Sequence, residues 1–273
     1  MVQHLVGRKG AATIAQIPSE VLDALNDGLI ATANLNEFLA LDMQRFARSV
    51  ALHLGIDPAH ERLADTLAMV DAFSKVKRHE HVARAFYDIV EARGDRDAIA
   101  HALATHPSDI ARSWAAQWVM FAAIPLAAKL VAVRRFAADP HFGVREIAWM
   151  AVRDEVAGDV DGAVAQLRPW VSDDDANIRR FASELTRPRG VWCAQIDALK
   201  REPWRALELL EPLKSDPSRY VQNSVANWLN DASKTQPEWV ESICSRWERE
   251  SRTAETRYIT RRARRSLGQI TPS

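Results

Sequence analysis

The chain has 273 residues, 47% apolar and 26% charged, with 36 basic and 36 acidic side chains in balance. That length can bury a large core, the composition is that of a globular protein, and no apolar run approaches the roughly 20 residues of a membrane span. The N-terminus lacks the apolar stretch and cleavage site of a signal peptide, and Cys193 and Cys244, without CxxC spacing, argue against a disulfide framework or a zinc site, so a reducing cytoplasm is the simplest setting.

Alternating β-branched runs are missing, and apolar residues recur at i, i+3, i+4 throughout, so the pattern predicts an all-α chain. SEVLDALNDGLI, with Ser19 as a candidate N-cap, and LNEFLALDMQRFARSVALHLGI read as the first helices. PAHERLADTLAMVDAF and KRHEHVARAFYDIVEAR follow. Beyond them come short helix pairs, punctuated by Pro107, Pro125, Pro140, Pro169, Pro188, Pro203, Pro217 and Pro237. Proline at a first helical turn or between helices breaks a chain in this way.

A repeat runs through the later segments. SDIARSWAAQWV, HFGVREIAWMAV, DANIRRFASELT, SRYVQNSVANWL and TRYITRRARRSL each carry a β-branched anchor, at Ile110, Val144, Ile178, Val221 and Ile259. The intervals are 34, 34, 43 and 38 residues, and four positions on stand Trp114, Ala148, Ala182, Val225 and Ala263. Paired helices at this period predict an α-solenoid of HEAT or armadillo-like repeats. The expected organisation is an N-terminal helical cap over 1–80 and repeats over 81–273 in one continuous domain with a concave binding face.

Positions two and six after the anchors form a mostly polar lane, because i and i+4 share a helix face. They are Glu146 and Met150, Arg180 and Glu184, Asn223 and Asn227, and Arg261 and Arg265, and in the fourth repeat the lane runs on to Asp231, near Asn230 and Lys234. Such residues can simply satisfy backbone in the next repeat. Glu184 can pair with Arg180 at i−4 or Arg187 at i+3, and Trp192 can be a packing residue. Their convergence on adjacent repeats favours a site.

Of the 36 basic residues 29 are arginines, and residues 246–265 hold eight of them against three glutamates. Arginine suits bidentate phosphate contact. Arg187 and Arg189 flank Pro188, whose neighbours lean extended, so the two guanidinium groups can project to one side and grip a phosphate backbone.

The blocks RRFASELTRPRGVWCA and DPSRYVQNSVANWLNDASK, with HPSDIARSWAAQW before them, resemble the HEAT-like repeat DNA alkylation-repair glycosylases, the AlkC branch more than the AlkD branch. The three blocks together cover about fifty residues, and the repeat pattern extends the likeness over about 100–270. The resemblance implies hydrolytic excision of cationic N-alkylated bases such as 3-methyladenine from double-stranded DNA, with no metal or organic cofactor and a monomeric enzyme. It implies Asp231 as the main catalytic carboxylate, Glu184 as a second acid, Trp192 as an indole facing sugar or lesion, and Glu146, less securely matched, as a third acid. Arg179, Arg180, Arg187, Arg189, Arg219, Asn223, Asn227, Lys234, Arg261, Arg262 and Arg265 would contact the DNA. The alternative is a non-catalytic repeat protein that binds damaged or branched DNA or a protein partner.

The sequence departs from the family pattern at Leu185, which replaces a glycine, and at Gly190-Val191, which replace Leu-Pro. Trp228 stands where a polar residue is usual, either as an added stacking side chain or as core. Some family members carry an immunoglobulin-like domain after the repeats. This sequence ends at Ser273, so DNA grip is expected to rest on its own arginines.

Overall fold

The computed structural model describes residues 2–190 and 193–269, and every regular element among them is helical. In chain order the α-helices are α1 (Ser19–Asn26), α2 (Leu35–Ala40), α3 (Met43–His53), α4 (Glu61–Met69), α5 (Lys75–Glu91), α6 (Arg96–Ala104), α7 (Asp109–Phe121), α8 (Leu126–Ala137) and α9 (Phe142–Met150). There follow α10 (Arg153–Gly158), α11 (Val160–Leu167), α12 (Ala176–Leu185), α13 (Asp197–Arg201), α14 (Leu207–Leu210), α15 (Arg219–Ser233), α16 (Pro237–Glu250) and α17 (Ala254–Ala263), with short 3-10 turns between them. The all-α repeat class is borne out. All five anchors and the five residues four positions on are at most 2% exposed.

The packing does not divide at residue 80. It separates the chain into two compact units, one of 1–123 with 140–148 and one of 124–139 with 149–273. The sequence shows the repeat continuing through this division, because the anchor pattern reports burial within each repeat and not which neighbours a helix packs against.

In the first unit, α7 packs against α5 and α6. Ten of its thirteen residues are buried, and Trp114 is wholly so, against Phe46 at 5.1 Å and Phe86 at 5.4 Å between ring centroids. Burying such a side chain contributes roughly 1.5–3 kcal/mol. Asp109 ties the N-terminal segment down by accepting from the Thr32 amide and hydroxyl, both at 2.8 Å.

His79 is buried against the Phe38 ring at 4.6 Å, and burial, then Lys75 and Arg78, push its pKa down to about 3. Burial, then His53 and Arg112, push His106 down to about 4. Both stay neutral in the folded chain while the unfolded chain protonates them near pH 6.5. The unfolded state therefore binds more protons between these limits, and stability falls as pH drops from about 6.5 towards 4. Denaturant unfolding at a series of pH values should show this loss, and His79→Phe should make the dependence shallower by up to about 1.4 kcal/mol per pH unit.

In the second unit α12 packs on α15 and α15 on α17, with α16 against both of the last two. Trp228 and Trp247 are fully buried. Trp228 donates from Nε1 to the Thr186 carbonyl at 2.9 Å, so this departure from the family pattern is a core residue that also fixes the end of α12.

Repeat starts share a further device, a side chain reaching back to the preceding loop. Arg112 donates to the His106 and Pro107 carbonyls, Arg145 to Pro140, Arg179 to Asp173 and Asp174, Gln222 to Asp216 and Arg257 to Arg252, at 2.6–3.0 Å. A loop carbonyl turned from solvent needs such a donor.

Candidate active site and nucleic-acid interface

The site grows from the end of α12. Thr186 returns its hydroxyl to the Ala182 carbonyl at 3.0 Å. Arg153 at the start of α10 is 2% exposed and donates to three carbonyls: Leu185 at 2.7 Å, Arg187 at 2.7 Å and Ala194 at 2.9 Å. Burial, the dominant influence, lowers the pKa of its guanidinium. A buried cation placed this way shapes the loop that carries Arg187 and Arg189. Gly190 fits because an added Cβ would stand 2.0 Å from the Cys193 sulfur and 3.1 Å from Arg153 Nη2.

Glu184 and Asp231, on neighbouring helices α12 and α15, are each 4% exposed. Arg187 joins them. Its Nη1 donates to Glu184 Oε1 at 2.6 Å, its Nε to Asp231 Oδ2 at 2.9 Å, and its Nη2 lies 2.8 Å from the same Oδ2. The second Glu184 oxygen accepts from Ser224 Oγ at 2.7 Å and faces Arg180 at 3.5 Å, whereas among the described residues Asp231 Oδ1 has only Lys234, at 3.5 Å. Burial pushes the Glu184 carboxyl up, but Arg180, Arg187 and the Ser224 hydrogen bond outweigh it and hold the group below the usual carboxylate range. Arg187 is correspondingly raised: Glu184 and Asp231 more than offset its burial.

Beside this cluster runs a row of guanidinium groups on tyrosines. Arg180 lies 4.2 Å from the Tyr220 ring centroid and Arg219 3.5 Å from that of Tyr258, with Arg262 at 5.5 Å and Arg261 at 5.9 Å from Tyr258. The Tyr258 hydroxyl donates to Asn223 at 2.7 Å, and Arg265 donates to Asn227 at 2.9 Å. Among the described residues no carboxylate lies within ion-pair distance of Arg219, Arg261 or Arg262, and Nε of Arg262 and of Arg189 is buried without a hydrogen-bond partner.

The expected set is thus partly assembled. Glu184 and Asp231 converge; Asn223, Asn227, Arg180, Arg219, Lys234, Arg261, Arg262 and Arg265 lie along the same helices of the second unit. Glu146, half-buried on α9, falls in the stretch that groups with the first unit, and Trp192 lies outside the described residues. Two of the arginines expected on phosphate are engaged internally. Arg179 forms a two-bond pair with Asp216 at 2.7 and 3.1 Å besides its loop carbonyls, and Arg187 is turned into the acids. Sequence reasoning missed Tyr220 and Tyr258, although an Arg-Tyr pair precedes both Val221 and Ile259. Ser224 and Arg153 carry no comparable signal.

Residues 141–267 match the family described as DNA alkylation repair enzyme. The match covers just under half of the chain, and over that stretch the sequence is similar to this family. A solved structure similar to this chain is that of the Pseudomonas fluorescens alkylpurine DNA glycosylase AlkC, bound to DNA containing an abasic site analog. The likeness has 27% identity and a TM-score of 0.69, over 82% of this chain and 62% of that one. AlkD2 from Streptococcus mutans, at 22% identity and a TM-score of 0.57 over 75% of this chain and 98% of its own, shares the fold. The uncharacterized protein YhaZ of Bacillus subtilis (strain 168) is 43% identical over 97 residues, 36% of this chain. The chain spans only 27% of that relative and less than two thirds of the AlkC chain.

Proposed function

We propose that the protein is a DNA glycosylase that hydrolyses the N-glycosidic bond of cationic alkylated bases, 3-methyladenine among them, in duplex DNA. The observation that carries this reading is the buried pair of carboxylates on adjacent repeat helices, beside Arg219, Arg261 and Arg262, which among the described residues have no carboxylate within ion-pair distance. An alkylated purine already bears positive charge and leaves with little general-acid help. Its departure develops oxocarbenium character on the sugar, which a nearby carboxylate stabilises. Asp231 Oδ1, reached among the described residues only by Lys234 at 3.5 Å, is the oxygen with capacity to accept a proton from the attacking water. Glu184, with both oxygens engaged, supports Asp231. Trp192 keeps the role that the family resemblance gives it, cation–π attraction to the lesion.

Incubation with methylated duplex DNA tests the reading: free 3-methyladenine should appear, with an alkali-labile abasic site left behind. The pairing of both acids with Arg187 also suits a second reading, a repeat protein that binds DNA without excising a base. That protein would release nothing, yet its DNA binding would still weaken with salt. Under either DNA reading, Arg219→Ala and Arg261→Ala should each weaken binding uniformly across sequences. Each should also reduce the slope of log affinity against log salt by about one in a gel-shift titration.

A further inference from the structure

We infer that Arg187 is a positioning residue whose guanidinium spans Glu184 and Asp231, holding two buried carboxylates side by side and fixing the orientation of Asp231. The kinetic part of this inference rests on the glycosylase reading; the electrostatic part does not. With Arg189, Arg187 flanks Pro188 in a stretch that reads as a phosphate grip, but its surroundings leave it no reach. Its amide donates to the Glu184 carbonyl at 3.3 Å, its own carbonyl accepts from Arg153 at 2.7 Å, and its side chain is 13% exposed.

Other charged groups face the pair from every side, and none replaces it. Of the two acids, Arg180 on α12 lies within ion-pair distance of Glu184, at 3.5 Å, and Lys234 at the end of α15 within that distance of Asp231, at 3.5 Å. Arg153 on α10, Cys193 in the loop and Arg265 after α17 act on the pair only through space. Ser224 on α15 donates to Glu184 alone. Arg187 is the group that touches both acids. Without it, two carboxylates withdrawn from water would face each other as like charges, and one would take up a proton. The planar fork is what allows one cation to serve two acids on different helices.

The test compares wild type, Arg187→Ala and Arg187→Lys. Carboxyl-carbon NMR on glutamate-labelled protein follows Glu184 from roughly pH 3 to pH 8. Base release is measured over the same range, and affinity for duplex containing an abasic-site analogue is measured against salt. In the alanine variant the Glu184 midpoint should rise by about one pH unit or more. Base release at neutral pH should fall roughly 10- to 100-fold and partly recover at higher pH. Lysine should restore most of the midpoint but leave kcat below wild type with KM unchanged, and the salt slope should stay that of wild type in both. An unmoved Glu184 midpoint, or a salt slope reduced by about one, overturns the inference and returns Arg187 to a phosphate. If the alanine variant does not fold, the lysine variant decides: a lower kcat at unchanged KM and salt slope supports positioning, and wild-type kcat overturns it. If wild type releases no base, the glycosylase reading fails while the Glu184 titration still decides whether Arg187 holds the acids.

Discussion

Under the glycosylase reading, Asp231→Asn should lower the rate of 3-methyladenine release by on the order of 10²–10³-fold, the scale on which loss of one preorganised electrostatic group acts in an active site. The replacement keeps the shape of the side chain and its capacity to accept from Arg187. What it removes is the negative charge that stabilises the sugar and the basicity that draws a proton from water. Affinity for duplex DNA should change little, because Asp231 is 4% exposed and turned to Arg187 and Lys234. Single-turnover release from methylated duplex, with binding measured on the same preparation, separates the two effects. Release at the wild-type rate would remove Asp231 from the mechanism.

The second large effect is on stability. Arg153→Ala orphans the carbonyls of Leu185, Arg187 and Ala194 and empties the volume of a side chain that is 2% exposed. An unsatisfied buried acceptor costs about 1–3 kcal/mol. Three, partly rehydrated through the opened space, sum to about 3–5 kcal/mol. For a chain of this size that is a fall in Tm of about 10 °C. Arg153→Lys should recover less than half of it, since an ammonium cannot reach three divergent carbonyls with the reach of a guanidinium fork. Thermal unfolding followed by circular dichroism reads both. Base release should fall further than stability alone accounts for when assayed well below the midpoint, because the loop that presents Arg187 is released. An Arg153→Ala variant with unchanged Tm would mean that the loop holds itself.

The repeat was legible because burial at one step of each helix selects β-branched and small side chains. Ile110, Val144, Ile178, Val221 and Ile259 are all buried as their pattern predicts. The meeting of Glu184 and Asp231 was legible for a related reason: helical spacing sets both on the polar lane beside that stripe. The roles of the arginines were not legible. Arg179, Arg187 and Arg219 look alike in sequence, yet one pairs with Asp216, one bridges two acids, and one lies on a tyrosine. Partners 37 and 44 residues away decide these outcomes, and no local pattern carries that information. Trp228 was ambiguous because an indole serves stacking and packing equally well; the Thr186 carbonyl that accepts from it lies 42 residues away.

The balance of 36 basic and 36 acidic groups is cancelled locally rather than spread evenly. Arginines such as Arg8, Arg45, Arg179 and Arg264 are each paired with a carboxylate, which cancels their charge at short range. Under the proposed DNA-binding reading, each such pairing removes a cation that could otherwise contact a phosphate and should weaken the attraction to undamaged sequence. Such a molecule would sample a genome through many short visits, and its dwell time would lengthen only where a lesion adds contacts of its own.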